Sequence, residues 1–198
     1  MKRIITISRE FGSGGRTIGK EVARRLDYNF FDRELVEEVA KRSGFSQDFI
    51  EENGEYANAR SSLLFYWATA KQHSMENLSM HDQIYIVQTK VIEELAETGN
   101  CVIVGRCADY VLREQYSTFD VFVHSTDDFR CERICEHDNI SKEEALNVIR
   151  QKDKARRRHY KYYTERNWGE SLNYDLCVNT ATCGIDEAAE IIAKLAGK

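Results

Sequence analysis

Residues 7–20, ISREFGSGGRTIGK, decide the reading of this chain. They overlap the end of RIITIS (3–8), whose β-branched run predicts a strand. They lead into a helix expected from about Gly15 to Leu26, with Ile18, Val22, Ala23 and Leu26 on one face. Between strand and helix, Gly12, Gly14 and Gly15 crowd four positions. Glycine there admits positive φ and lets backbone N–H groups approach an anion, and the helix N-terminus adds partial positive charge. Phosphate binding is the chemistry that such a loop serves.

The strict phosphate-loop pattern G-x-x-x-x-G-K-[ST] is not met. With Gly12-Ser13-Gly14 laid on the Gly-x-Gly before the lysine, Gly15 stands at the lysine position, Arg16 and Thr17 follow, and Arg9 falls where the first glycine belongs. Arg16 is then the expected substitute for the lysine charge, and Thr17 offers a hydroxyl toward Mg²⁺. Two other readings compete. Gly12 to Thr17 also fits G-x-G-x-x-T with Asp32 20 residues past Gly12, near a dinucleotide fingerprint, although the third glycine is missing and the turn is long. The other is a purely structural glycine turn.

Working outward, a short strand is expected at 29–31 and then a helix with Leu35, Val36, Val39 and Ala40 on one face, Asp32 being its expected N-cap. Residues 45–98 read as all-helical, closing at Gly99-Asn100. CVIVG (101–105) and FDVFVH (119–124) are apolar runs typical of strands covered on both faces. Helices are expected at 127–137 and 141–165, a last strand at 173–179 (NYDLCVN), and a closing helix from Ile185 to Leu195. Strands alternating with helices predict an α/β fold: a parallel sheet between helical layers, with 45–98 and 127–165 as flaps over one edge.

At 198 residues the chain suits one domain. Its net charge of −5 argues against a general nucleic-acid or membrane-surface binder, yet 150–166 holds eight Lys or Arg against Asp153 and Glu165. That concentrated patch on an acidic protein suits a compact anion such as a nucleotide polyphosphate. No apolar run approaches the roughly 20 residues of a membrane span, and no secretory signal is recognisable. A cytoplasmic protein is expected, with its six cysteines as reduced thiols. Cys131, Cys135 and His137 are a candidate metal-ligand group without an evident fourth ligand. The run LLFYWATA (63–70) reads as core or subunit interface, which raises a homodimer as an expectation.

Four segments in order, ISREFGSGGRTIG (7–19), FFDRELVEEVA (30–40), VIVGRCADYVL (102–112) and DKARRRHYKYYTER…NYDLCVNT (153–180), resemble the cytidylate kinase-like proteins of the P-loop nucleoside-monophosphate kinase superfamily. The resemblance implies a three-layer P-loop fold with about five parallel strands. The core would be 1–44, 99–126 and 172–198, the helical acceptor-binding region 45–98 and the basic lid 127–171. It implies ATP and Mg²⁺ as cofactors, with Gly12, Ser13, Gly14, Gly15, Arg16 and Thr17 cradling the donor phosphates. Asp32, Arg106, Asp109 and Lys152 would face the acceptor. Arg16, Arg106, Arg156 and Arg157 would neutralise charge during transfer. The sequence departs from the pattern at three places: Cys107 stands where an aspartate follows the arginine, Glu37-Glu38 stand for Tyr-Arg, and the lid pattern has become Lys152, Arg156 and His159. The implied reaction is phosphoryl transfer to a nucleoside monophosphate, CMP or dCMP first. The rivals are a P-loop kinase with another small acceptor and a non-catalytic nucleotide-binding regulatory module.

Overall fold

The computed structural model describes residues 4–53 and 78–197. Five strands, β1 (Ile4–Arg9), β2 (Asn29–Phe31), β3 (Cys101–Val104), β4 (Thr118–His124) and β5 (Leu176–Asn179), form one parallel sheet in the order β2-β3-β1-β4-β5. The helices are α1 (Gly15–Leu26), α2 (Arg33–Ser43), α3 (Gln47–Asn53), α4 (Met80–Glu97), α5 (Ala108–Leu112), α6 (Asp127–Asp138), α7 (Lys142–Thr164) and α8 (Thr180–Ala196). This is the expected three-layer α/β fold.

Side chains alternate across the pleat, so β1 sends Ile4 to one face and Ile5 and Ile7 to the other. On the first face Ile4, Cys101 and Ile103 meet Leu35, Val39, Ile84 and Ile92 of α2 and α4. On the second, Ile5, Ile7, Val102 and Val121 meet Ile18 and Val22 of α1 and Ile192 of α8. Every residue of β3 is buried, as a parallel strand covered on both sides requires. Strand β1 lies between β3 and β4, so the chain leaves its C-terminal end toward one side and returns on the other. That opens a crevice at the strand tips, where open α/β sheets bind ligands.

Three local expectations are adjusted. The last strand is shorter than 173–179, because Ser171–Asn173 coil into a 3₁₀ turn before β5 starts at Leu176. The closing helix starts five residues earlier, at Thr180, and Gly184 (φ 75°, ψ 173°) breaks it before Ile185. Asp32 does occupy the N-cap position of α2, but its carboxylate caps nothing there and pairs with Arg16 instead. Of 45–98, α3 and α4 are helical as expected. The 63–70 run, with the interface it was expected to form, lies outside the described residues. Among those residues no group of three or more His, Cys, Asp or Glu side chains converges as a metal site, and no helix is long and apolar enough to cross a membrane.

Helix α7 begins with a capping box between Ser141 and Glu144 and is anchored along its length. Buried Asp153 accepts from the Phe11 backbone N–H at 2.8 Å and from Arg130 of α6 at 2.6 Å. Arg156 donates to the Arg9 carbonyl at 3.1 Å. Further along, Tyr160 donates to Asp109 at 2.6 Å, and Tyr163 stacks on Tyr85 of α4 with ring centroids 3.8 Å apart.

Two expectations for stability follow. Asp153→Ala strips a partner from the nearly buried Arg130 and from the Phe11 N–H, and its cost is expected at about 3 kcal/mol in denaturant unfolding. A loss below about 1 kcal/mol would show that Asp127 and Glu10 satisfy Arg130 alone. The second concerns Asp120 of β4, where burial pushes the carboxyl up to about 6 against the hydrogen bond donated by Thr6. The folded value lies above the unfolded one of about 4, so the native chain holds the proton more tightly and stability falls as pH rises between them. Asp120→Asn is therefore expected to raise the melting point at pH 7 by about 2–5 °C, and the gain should vanish below about pH 4.

Candidate active site

The loop between β1 and α1 has the conformation its glycines permit. Gly12 and Gly14 take φ of 80° and 87°, and Gly14 serves as the left-handed N-cap of α1. Its packing is equally restrictive. A Cβ on Gly12 would lie 2.8 Å from Ile134 of α6, and one on Gly14 would lie 2.8 Å from Ile185 of α8. Ser13 is wholly buried, and its hydroxyl lies 2.9 Å from the Glu10 carbonyl and 3.1 Å from that of Val123. Thr180, at the start of α8, donates to the Ser13 carbonyl at 2.9 Å. The loop is thus tied from beneath to β4 and to the end of β5.

Above it opens a cavity of about 470 Å³. Gly12, Gly14, Gly15, Arg16 and Thr17 line its floor, and Asp32, Val36 and Arg106 one wall. Lys152 and Arg156, one turn apart on α7, form the roof. Among the described residues six Lys or Arg line this space (Arg9, Arg16, Arg106, Arg133, Lys152 and Arg156) against Glu10, Asp32 and Asp138. Glu10 is engaged by the Ser125 N–H at 3.1 Å and by Arg130 at 3.5 Å, and Asp32 by Arg16 at 2.6 Å. Such an excess of cations facing a helix N-terminus fits a compact polyanion and offers nothing of comparable strength to a cation.

Arg106 sits on a strained turn. Gly105, Arg106 and Cys107 take φ of 73°, 59° and 56° in succession, which costs about 1 kcal/mol at each of the two non-glycine residues. The turn places the Arg106 guanidinium 3.1 Å from the Ile50 carbonyl and 3.5 Å from Gln88 Oε1, while Gln88 donates back to the Arg106 carbonyl at 3.3 Å. The strand tip, α3 and α4 are joined through this one side chain.

Not every expected site residue reaches the cavity. Gly12, Gly14, Gly15, Arg16, Thr17, Asp32, Arg106, Lys152 and Arg156 line it, and Ser13 supports it from below. Asp109 lies elsewhere: the first turn of α5 faces inward, so its carboxylate is buried against the Tyr160 hydroxyl and its pKa is raised by desolvation. Arg157 points to another side of α7 and packs over Trp168, 5.8 Å from the ring centroid. Of the basic run, the two residues spaced by four reach the cavity and their neighbours do not.

Two lining arginines were not singled out from sequence. Arg133 stands on α6, and the available signal was an Arg-x-x-Arg pair directly after a buried strand. Arg9 is the last residue of β1, at the edge where ligands bind, and its signal was the substitution it makes in the loop pattern.

Comparison with known proteins agrees with this geometry. The model of the cytidylate kinase-like family matches residues 4–182. A cytidylate kinase from Pyrobaculum islandicum is 27% identical over 189 residues, covering 95% of this chain and 89% of that one. A cytidylate kinase from Methanococcus aeolicus is 26% identical over 192 residues, covering 96% and 94%. Among solved structures, an uncharacterized protein from Eubacterium ventriosum superposes with a TM-score of 0.76 at 27% identity over 100% of this chain and 99% of that one. Shikimate kinase from Bacteroides thetaiotaomicron shares the fold at a TM-score of 0.58 and 18% identity, with both chains fully covered. A match over nearly the whole length, on a P-loop kinase fold with the glycine loop at its strand tips, establishes that this chain belongs to the cytidylate kinase-like family.

Proposed function

We propose that this protein transfers the γ-phosphoryl group of ATP to a nucleoside monophosphate, with CMP or dCMP the first acceptor to test. The observation that carries this reading is the cavity itself. Backbone amides at the N-terminus of α1 form its floor, and among the described residues six cations, on β1, α1, α6, α7 and the turn after β3, surround it. The family and its cytidylate kinase relatives support the same class of reaction.

In this reading the Gly12–Thr17 backbone holds the donor phosphates, with Arg16 exchanging Asp32 for them. Arg106 and Asp32 face the acceptor, Lys152 orients its phosphate, and Arg156 neutralises charge on the moving group. Arg157 and Asp109 act through α7, the first by packing on Trp168 and the second by fixing Tyr160. Mg²⁺ bound with ATP would add charge neutralisation beside the Thr17 hydroxyl. The acceptor oxygen is an ionised phosphate oxygen, so no residue has to remove a proton, and positioning with electrostatics suffices. Helix α7, held over the site, keeps out water that would otherwise hydrolyse ATP.

Three features favour a variant of this reading, in which the acceptor is another small molecule or the chain only binds nucleotide. Cys107 replaces the acidic neighbour of Arg106, and Glu38, in place of a basic residue, is engaged by Arg42 at 2.6 Å outside the cavity. Position 15 carries no lysine. ADP release in the presence of Mg²⁺ separates these readings, measured across CMP, dCMP, UMP, AMP, GMP, nucleosides and small alcohols. Stimulation by CMP or dCMP is the expected result, and stimulation by an alcohol alone would reassign the acceptor. ATP binding with no stimulation by any member would sink the kinase reading in favour of the regulatory module.

A further inference from the structure

The missing lysine has a steric explanation. Gly15 has no left-handed φ, so its backbone would accept any L side chain. Its surroundings would not: a Cβ at position 15 would lie 2.5 Å from Arg9 Cβ and 2.9 Å from Arg9 Cγ. Arg9 in turn stands where the strict pattern places its first glycine. The two positions compete for one volume. A side chain on residue 15 needs glycine at 9, and a side chain on residue 9 needs glycine at 15.

That competition also fixes where a cation can start. The stems of Arg9 and of a lysine at 15 would begin with their Cβ atoms only 2.5 Å apart. Arg9 lines the main cavity and also a small recess shared with Arg106 and Arg156.

We propose that Arg9 is the phosphate-loop cation of this protein, doing from the end of β1 what lysine does from the start of the helix in the strict pattern. The inference rests on the phosphotransferase reading above and deepens it. During transfer the acceptor oxygen bonds to the γ-phosphorus while the bond from that phosphorus to the β–γ bridging oxygen breaks. The electron pair stays on the departing diphosphate, and the Arg9 guanidinium neutralises the charge gathering there. Its planar fork of donors spans two phosphate oxygens, where an ammonium acts as a point charge.

The test moves the charge from one position to the other. Arg9→Met keeps the stem and loses the cation, Arg9→Gly removes both, and Arg9→Gly with Gly15→Lys rebuilds the strict arrangement. Glycine is needed at 9 because even an alanine Cβ would meet the new side chain. The readouts are ADP release with the best acceptor, the preference for ATP over AMP by titration calorimetry, and the melting point. Arg9→Met and Arg9→Gly are expected to lower turnover about 100-fold and the ATP preference about tenfold, and the double variant to recover at least about tenfold in turnover. Gly15→Lys alone is expected to lower the melting point, since Arg9 still fills the space. If Arg9→Met keeps turnover and ATP preference within about threefold of the parent, Arg9 is not the cation. A folded double variant no better than Arg9→Gly also overturns the proposal. Should the parent transfer phosphate to no acceptor, the kinase reading fails, and loss and recovery of the ATP preference still decide the role of Arg9.

Discussion

The site depends on a buried hydroxyl. Ser13 lies under the glycine loop with no exposed surface, bonded to the carbonyls of Glu10 and Val123, and its own carbonyl accepts from Thr180. These contacts brace the loop on itself and tie it to β4 and to the helix after β5, two parts of the chain far from it in sequence. A loop that presents backbone amides to an anion loses most of its value if it must be ordered on each binding event. Here its shape is set by the sheet. Ile134 and Ile185 pack so close to Gly12 and Gly14 that a methyl group at either would displace them.

The helix over the cavity follows a complementary logic. Like charges on α7 repel, and a basic face turned toward other basic residues is tolerable only where something holds it. Asp153 does this from the buried side, bonding Arg130 and the Phe11 N–H at once. The Tyr160–Asp109 bond and the Tyr163–Tyr85 stack hold the far end. The stretch expected to be a flap is therefore fastened, in this structure, to the loop on one side and to α4 on the other. Lys152 and Arg156 remain aimed at the cavity between these anchors.

Much of this was legible in the residues themselves. The CVIVG run, the glycine cluster between a β-branched strand and an amphipathic helix, and the basic stretch at 150–166 each encode their structure locally. Ends were less legible where a neighbour intervenes. Asp32 has the composition of a cap, but Arg16 competes for its carboxylate at 2.6 Å. The strand expected from 173 begins at Leu176, because pairing with β4 starts only where Asp175 donates its N–H to the Asp120 carbonyl. Asp109 reads as a strand-end acid near a ligand, and only the inward turn of α5 shows that it meets Tyr160.

The residues in order were enough for the parallel α/β fold, for a glycine loop at 12–17 ahead of a helix and for the concentration of positive charge on one helix, since each is a short-range pattern of residue types. Which cations share a cavity depends on packing between distant segments. Arg156 meets the Arg9 carbonyl across 147 residues of chain, and Arg157, its immediate neighbour, turns away to Trp168 because successive helical residues diverge by about 100°. The exclusion between positions 9 and 15 is likewise invisible in a string of letters. It arises from two backbones brought within one side chain's width, and that distance is a property of the packed sheet.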